Sequence, residues 1–258
     1  MEYKQLSVVS NTELALGHWR IELTSPEPLP PIAAGQFLAL RCDPGDTCSL
    51  LRPFSILSVD REANTLGVYY KHLGRMSKRL STVVPGERLE CLYPLGNSFP
   101  WEQGWGSLAL IGGGVGLAPM LYLAEWLLKQ DPGLELKCFF GGNSEEDLVP
   151  ALLESYDLPV ETATMDGSAG YKGTVIDLYH ESADKYQTVY TCGPNPMMAA
   201  LQGKLPDACQ AFASLEEYMA CSVGACYGCV VKIKEENGYS NQRVCKEGPV
   251  FDLRRVVF

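Results

Sequence analysis

Residues 107–120 read SLALIGGGVGLAPM. Ser107 to Ile111 is a short apolar run of strand length. Gly112, Gly113, Gly114 and Gly116 then break it, and Leu117 to Lys129 carries a mostly apolar helical stretch. Strand, glycine turn and helix in that order form the first unit of a doubly wound α/β sheet, with a turn whose bare backbone can pass close to a pyrophosphate seated at the helix N-terminus. The register is compressed relative to the usual dinucleotide fingerprint. After the next strand comes FFGGN (139–143) rather than an acid suited to a ribose. The same glycines could equally serve only to pack a helix on a sheet. No charge occurs from Gln103 to Ala124, a span long enough to cross a bilayer. Glycines and Pro119 clustered at its centre argue instead for the strand–turn–helix reading.

The alternation continues downstream. Strands are expected at Glu135–Phe140, Val160–Thr164, Thr188–Thr191 and Gln210–Ser214, with helices at Glu145–Tyr156 and Thr174–His180. CGPNPMM (192–198) reads as a strand end passing into a helix with Pro196 in its first turn. Strands alternating with helices predict a parallel sheet covered on both faces. Upstream the rhythm differs. Ala34–Cys42, Phe54–Val59, Leu66–Leu73 and Glu87–Leu92 are β candidates spaced by Gly, Pro, Asp and Asn, as in a small barrel or sandwich, with one short helix near Met76–Val83. Beyond Leu215 the texture changes again, to acidic and small residues and then cysteines. The expected modules are 1–101, 102–214 and 215–258.

The third module carries the most selective motif. Cys221, Cys226 and Cys229 follow a C-x4-C-x2-C spacing, and Cys245 comes fifteen intervening residues later. Two irons need four thiolates, three of them from one tight loop, and this is the spacing of plant-type [2Fe–2S] sites. Ser222, Gly224, Ala225 and Gly228 are small enough for backbone N–H groups to approach the sulfurs. Zinc would normally bring two C-x2-C pairs or histidines. The bland alternatives are buried thiols or a structural zinc. The remaining cysteines (Cys42, Cys48, Cys91, Cys138, Cys192 and Cys209) read by default as apolar filler.

Composition bounds the partners. The chain has 258 residues, 21 Lys plus Arg against 31 Asp plus Glu, and a net charge of −10. Such a surface repels nucleic acid and anionic lipid. MEYKQLSVVS lacks the basic start and apolar run of a signal peptide, so a cytoplasmic setting with reduced thiols is expected. Paired carboxylates, a Ser–His–Asp order and a Lys-centred motif are all missing, so no catalytic residue for a metabolite is assigned and that chemistry is expected on another polypeptide.

Arg52-Pro53-Phe54-Ser55, Tyr70-Lys71-His72 and Gly74-Arg75-Met76-Ser77 offer an arginine for a phosphate, an aromatic for a flavin ring and a turn opening a helix. An ordinary edge strand explains them as well. A functional demand ties the modules together. A nicotinamide delivers two electrons as one hydride, whereas a [2Fe–2S] cluster takes one at a time, and a flavin converts between them.

RPFS, YKH, GRMS, ECLYPLGNSF, GGGVGLAPM, DGSAGYKGTV, CGPNPMM and SLEEYMACSVGACYGC, in that order, resemble the ferredoxin–NADP reductase superfamily and, more narrowly, the electron-transfer subunits of class 1B dihydroorotate dehydrogenases. The resemblance covers nearly the whole chain. It implies an FAD-binding antiparallel β-barrel, a doubly wound NAD-binding α/β domain and a small [2Fe–2S] domain. It further implies an FMN-containing catalytic subunit that oxidises dihydroorotate in pyrimidine (UMP) biosynthesis, in a heterotetramer of two of each chain. Carried over by position, Arg52, Pro53, Phe54 and Ser55 would contact the flavin and its ribityl phosphate. Tyr70, Lys71 and His72 would hold FAD from the next strand, with Ser77 and Lys78 at the pyrophosphate. Gly113, Gly114, Gly116, Cys192, Gly193 and Pro194 would face NAD(H), and Cys221, Cys226, Cys229 and Cys245 would ligate iron. Two features depart from the family pattern. Tyr93 stands before PLGN where glycine is expected, and the long spacing to Cys245 predicts an extra turn in a hairpin at Glu235–Gln242. Met165-Asp166-Gly167-Ser168 places an acid where NADPH-preferring relatives bind a 2′-phosphate, so NADH is expected. An NADH-dependent ferredoxin:NADP⁺ reductase or sulfide dehydrogenase small subunit shares all three modules and is the alternative.

Overall fold

The structure is a computed structural model that describes residues 1–42 and 50–258. Cys48 lies outside the described residues. Six strands close an antiparallel barrel in the order β1-β2-β5-β4-β3-β6: β1 (Glu2–Ala15), β2 (His18–Thr24), β3 (Phe37–Arg41), β4 (Arg52–Asp60), β5 (Thr65–Lys71) and β6 (Arg88–Leu95). Closure removes the open edges that a six-stranded sheet would otherwise expose. The helix expected near Met76–Val83 is the shorter α1 (Arg75–Leu80). β1 and β2 were not foreseen. Register shifts at Val8/Ser10 and Glu13/Ala15 interrupt the inside–outside alternation of β1, and that alternation is the signal a strand leaves in sequence.

The second module is a sheet ordered β10-β9-β8-β7-β11-β12-β15. Its parallel strands are β7 (Leu108–Gly113), β8 (Leu136–Gly142), β9 (Val160–Thr164), β10 (Tyr171–Lys172), β11 (Thr188–Cys192) and β12 (Gln210–Ser214). Both faces of the central strands are buried, which is why they read as unbroken apolar runs. Leu108 and Leu110 of β7 join one core with the barrel and helix α2 (Leu117–Gln130). Ala109 and Ile111 turn the other way, into a second core that holds helix α5 (Val175–His180) and part of α6 (Asn195–Gln202). Helix α2 is thus held between sheet and barrel, and Tyr122 donates a 2.9 Å hydrogen bond to Ile32 O across that seam.

The expected helix Glu145–Tyr156 is two short pieces, α3 (Glu145–Leu148) and α4 (Pro150–Leu153). Val149 sits at φ +49 between them. The right-handed helical region is disfavoured before proline, and Pro150 has no N–H to continue the ladder, so it opens a new helix instead of extending α3. Thr174 caps α5 by accepting from Asp177 N–H at 3.1 Å.

Past Leu215, β13 (Val230–Glu235) and β14 (Gly238–Arg243) form a hairpin. It closes at Glu235↔Gly238 through a two-residue turn, not the extra turn expected, because six-residue strands absorb the length. The chain then returns as β15 (Val250–Asp252), which adds antiparallel to β12, and β16 (Val256–Val257), which pairs with β13. The nucleotide-domain sheet is therefore finished by residues that follow the last cluster cysteine. Among the described residues no helix is long and apolar enough to cross a membrane.

Candidate functional site

Strand order locates the nucleotide end. The chain runs outward from β7 through β8 to β9, then starts again on the other side of β7 with β11. Crevices at such a reversal, beyond the carboxyl ends of the strands, are where open α/β sheets bind ligands. The ends meeting there are Gly113–Gly116 and Cys192–Pro194. The glycines divide by role. A Cβ on Gly116 would lie 2.1 Å from Cys192 O, one on Gly113 would meet Met197 Sδ at 2.6 Å, and one on Gly193 would meet Met197 Cε at 2.6 Å. These three let turn, strand end and helix α6 close on one another. Gly114, at φ +57 with nothing within 4 Å of a Cβ position, is the one whose bare face is open to a ligand.

A cleft of about 560 Å³ lies where the three modules meet. The barrel supplies Pro53, Phe54, Ser55, Tyr69, Tyr70 and Lys71; the nucleotide domain adds Val115 and Asn195; and the cluster module adds Leu215–Met219 and Pro249. Phe54 meets Tyr70 edge-on at 6.1 Å, and the buried Tyr70 donates to Asn11 Oδ1 at 3.0 Å, so the aromatic wall is fixed. A second cleft of about 580 Å³ continues past Phe54 and Lys71 to Arg52, Gly74, Arg75 and Ser77. An aromatic-walled cleft with hydroxyls at its edge, opening into a channel with two arginines, fits a flavin ring with a diphosphate tail. Ser77 Oγ accepts from Leu73 and Gly74 N–H, both at 3.0 Å, and so shapes the turn. His72 and Lys78 are exposed and line neither cleft, and Tyr93 is wholly buried in the barrel core.

Two acidic groups also reach the cleft region. Glu216 lies in irregular chain, and its Oε1 is 3.9 Å from Cys192 Sγ. It lines the cleft with its side chain still exposed, and the chain packed around it raises its carboxyl above the usual range. Cys192 is buried, and desolvation followed by the nearby Glu216 pushes its thiol well up. Asp147 bridges the modules. It accepts from Lys71 Nζ at 2.7 Å and lies 3.8 Å from His18 Nε2, while His18 Nδ1 meets Tyr69 OH at 2.6 Å. Burial works against its charge, but Lys71 and the N–H groups of Asn143 hold its carboxyl below the usual range. No local pattern could have shown an ion pair between residues 76 positions apart.

The four cysteines fall in one loop and its return arm. Cys221 Sγ accepts N–H bonds from Ala225 (3.3 Å) and Cys226 (3.4 Å), Cys226 Sγ accepts from Gly228 (3.4 Å), and Cys229 Sγ from Cys245 (3.5 Å). Burial opposes ionisation of Cys221, yet backbone donors led by Val223 and Cys226 bring its pKa down to about 6. Ser222, Gly224 and Tyr227 adopt positive φ, which wraps the loop into a cup, and the buried Ser222 Oγ has no partner. Backbone donors aimed at sulfur and a thiol disposed to ionise are the chemistry an iron–sulfur cluster needs. Arg243 anchors the cup, donating to Gly224 O at 2.6 Å, pairing with Glu247 and lying over the Tyr227 ring at 4.5 Å.

Residues 216–257 match the iron–sulfur cluster binding domain of dihydroorotate dehydrogenase B, and 110–203 match an oxidoreductase NAD-binding domain. The electron transfer subunit of dihydroorotate dehydrogenase B (NAD(+)) from Shouchella clausii is 33% identical over 261 residues, covering 98% of this chain and 97% of the relative. The chain belongs to this family of electron transfer subunits. The dihydroorotate dehydrogenase B electron transfer subunit of a Geobacillus species is 34% identical over 260 residues, covering 100% and 99%. Among solved structures, an NADH-dependent reduced ferredoxin–NADP oxidoreductase superposes with a TM-score of 0.83 at 24% identity, over 98% of this chain and 89% of that one. Phthalate dioxygenase reductase superposes at 0.68 and 19%, over 94% of each. At such identities these two report the fold. The chain is an oxidoreductase component, and as an electron transfer subunit it works with a catalytic partner subunit.

Proposed function

We propose that this chain carries electrons between NAD(H) and an FMN-bearing dihydroorotate dehydrogenase catalytic subunit, through FAD and a [2Fe–2S] cluster, in pyrimidine biosynthesis. The observation that carries the reading is the cleft walled by all three modules, which puts a flavin-sized floor between the Gly114 turn and the chain leading to Cys221. Bound flavin supplies the step from paired to single electrons. The chain's own residues position the exchange. Phe54 and Tyr70 fix the ring plane, and Ser55 offers a hydroxyl at its edge. Arg52, Arg75 and Lys71 stand at the channel where a diphosphate would lie, and Gly114 leaves room for the nicotinamide nucleotide. Cys221, Cys226, Cys229 and Cys245 hold the cluster in this proposal, and the walls exclude water from the ring.

Tyr218, Val223 and Tyr227 stand exposed around the cup, on the face we assign to the catalytic subunit. We infer two of each chain in a cytoplasmic complex, and modules at 1–101, 102–214 and 215–258 with β15 shared between the last two. Asp166 Oδ1, occupied by Ser168 N–H (2.9 Å) and Oγ (2.6 Å), presents a carboxylate beside the expected ribose site, which supports NADH over NADPH.

The test is anaerobic purification followed by a visible spectrum, iron and acid-labile sulfide assays, and identification of co-purifying chains. Flavin and cluster absorption with an FMN protein as partner are expected. A colourless product would overturn the proposal. A partner bearing [4Fe–4S] clusters would replace it with the ferredoxin:NADP⁺ reductase alternative.

A further inference from the structure

Two arms of chain lead into the cluster cup. One runs from Ser214 to Cys221 and the other from Cys245 to Val250, and both line the flavin cleft, through Leu215–Met219 and through Pro249. They are tied by Leu215 N–H donating to Pro249 O at 2.9 Å and by the β12–β15 pairing. Those ties join the cluster module to the nucleotide domain. To the barrel it is joined by a shared apolar core, in which Phe37 and Leu95 lie with Leu215 and Phe251, and by a hydrogen-bonded junction at the turn after β6.

Asn97 accounts for most of that junction. Its backbone N–H donates to Gly248 O at 2.7 Å. Its side-chain Nδ2 donates to Glu247 O at 3.0 Å and Val250 O at 2.8 Å, and its Oδ1 accepts from Val250 N–H at 2.9 Å. One carboxamide thus satisfies three backbone groups of the arm that starts at Cys245, with donors and acceptor used in the only sense an amide allows. The neighbouring Gly96 is what lets the chains come this close: a Cβ there would lie 2.4 Å from Pro249 Cδ and 2.8 Å from Gly248 O, at φ +75. Gln36 Nε2 donates to Gly96 O at 3.0 Å and fixes the turn from the barrel side.

We propose that Asn97 is a positioning residue that sets the separation between the flavin cleft and the iron–sulfur cluster, and so the rate at which electrons cross between them. This rests on the function proposed above. The two electrons and proton of a hydride enter at the flavin. The cluster takes the electrons one at a time, and the proton is released to water. Only the crossing to the cluster depends on the barrel-to-arm distance, because hydride entry occurs between barrel and nucleotide domain, where Asn97 makes no bond. Loss of the amide removes three of the arm's hydrogen bonds to the barrel while the Asn97 N–H bond to Gly248 O, the Leu215–Pro249 tie and β15 remain, so the arm loosens against the barrel without unfolding.

The experiment compares holoprotein, wild type against Asn97→Ala, mixed anaerobically with NADH. Flavin bleaching and dye reduction are followed beside cluster reduction by EPR, and amide exchange of residues 245–250 is measured without nucleotide. Wild-type flavin reduction is expected, with cluster reduction slowed by roughly tenfold or more and faster exchange confined to the arm, since ångström-scale misplacement costs rates of that order. Asn97→Asp keeps the acceptor for Val250 N–H but turns a carboxylate oxygen on Glu247 O and Val250 O, and is expected to slow cluster reduction at least as much as alanine; Asn97→Ser, which keeps a short polar side chain in the turn, serves as the test if neither folds. Unchanged cluster reduction in a folded variant overturns the proposal, as does a parallel fall in dye reduction. If wild-type cluster is never reduced by NADH, the function proposed above fails instead.

Discussion

Replacing Gly116 by alanine puts a methyl carbon 2.1 Å from Cys192 O, 2.5 Å from its carbonyl carbon and 2.9 Å from Gly193 N. All three are backbone atoms, so no side chain can swing aside, and the β11 end or helix α2 must move. Overpacking of this kind costs about 1–3 kcal/mol, and a rigid backbone contact belongs at the upper end. Gly116 already has helical dihedrals (φ −63, ψ −7), so alanine brings no backbone strain, but it is the N-cap of α2, where alanine is a poorer residue than glycine, so propensity recovers nothing. A net loss of about 3 kcal/mol lowers Tm by roughly 6–12 °C in a chain of this length melting as one unit. Gly114→Ala is the contrast. It has open space but φ +57, so it costs about 1–2 kcal/mol in backbone strain and places a methyl where nucleotide approaches. The assays are differential scanning calorimetry of the holoprotein and steady-state NADH:dye reduction. Gly116→Ala should lose the more stability, and Gly114→Ala should raise KM for NADH by roughly tenfold. A Gly116→Ala protein melting with the wild type, or a Gly114→Ala protein with unchanged KM, refutes the division of labour among these glycines.

Cys226→Ser should abolish the cluster EPR signal and transfer to the catalytic subunit while NADH-to-dye reduction partly survives; equal loss of both would show the cluster to be a support for the flavin fold. Burial, then repulsion from Lys71, drives His18 below its ordinary 6.5, with Asp147 and Glu146 opposing. The unfolded chain therefore binds the extra proton first, so stability present above pH 6.5 is lost as pH falls through that value towards the folded pKa. The depressed Asp147 acts in the same direction, but only below its ordinary 3.8. Tm measured from pH 8 to 5 should thus decline on the acid side and decline less in His18→Gln; parallel curves would show that His18 does not titrate with folding. Asp166→Ala should narrow the preference for NADH over NADPH by roughly two- to fivefold, the scale of one exposed charge contact, and a wild-type KM lower for NADPH would overturn the assignment.

The parts legible in sequence were those whose cause is local. Four thiolates at fixed spacing, the strand–glycine–helix unit at 107–120 and each strand-to-helix step behind it rest on residues close together in the chain. The break at Val149 was local too, since Pro150 announces it. The β1–β2 hairpin escaped because bulges blur its alternation. Glu216, Asp147 and Asn97 escaped for another reason: their partners come from other modules, and no window of sequence holds both halves of a contact between residues 97 and 250. The extra length before Cys245 was visible, but its use in longer strands rather than a longer turn was not.

Because β15 is built from residues 250–252 and seals the edge of β12, biogenesis has an enforced order. A nascent chain halted at Ser214 would present Phe212, Ala213 and Ser214 as an unpaired rim, open to association with other copies. The rim is capped only after every sulfur donor has left the ribosome, so the metallocentre's thiols are all available before the coenzyme-binding sheet is complete.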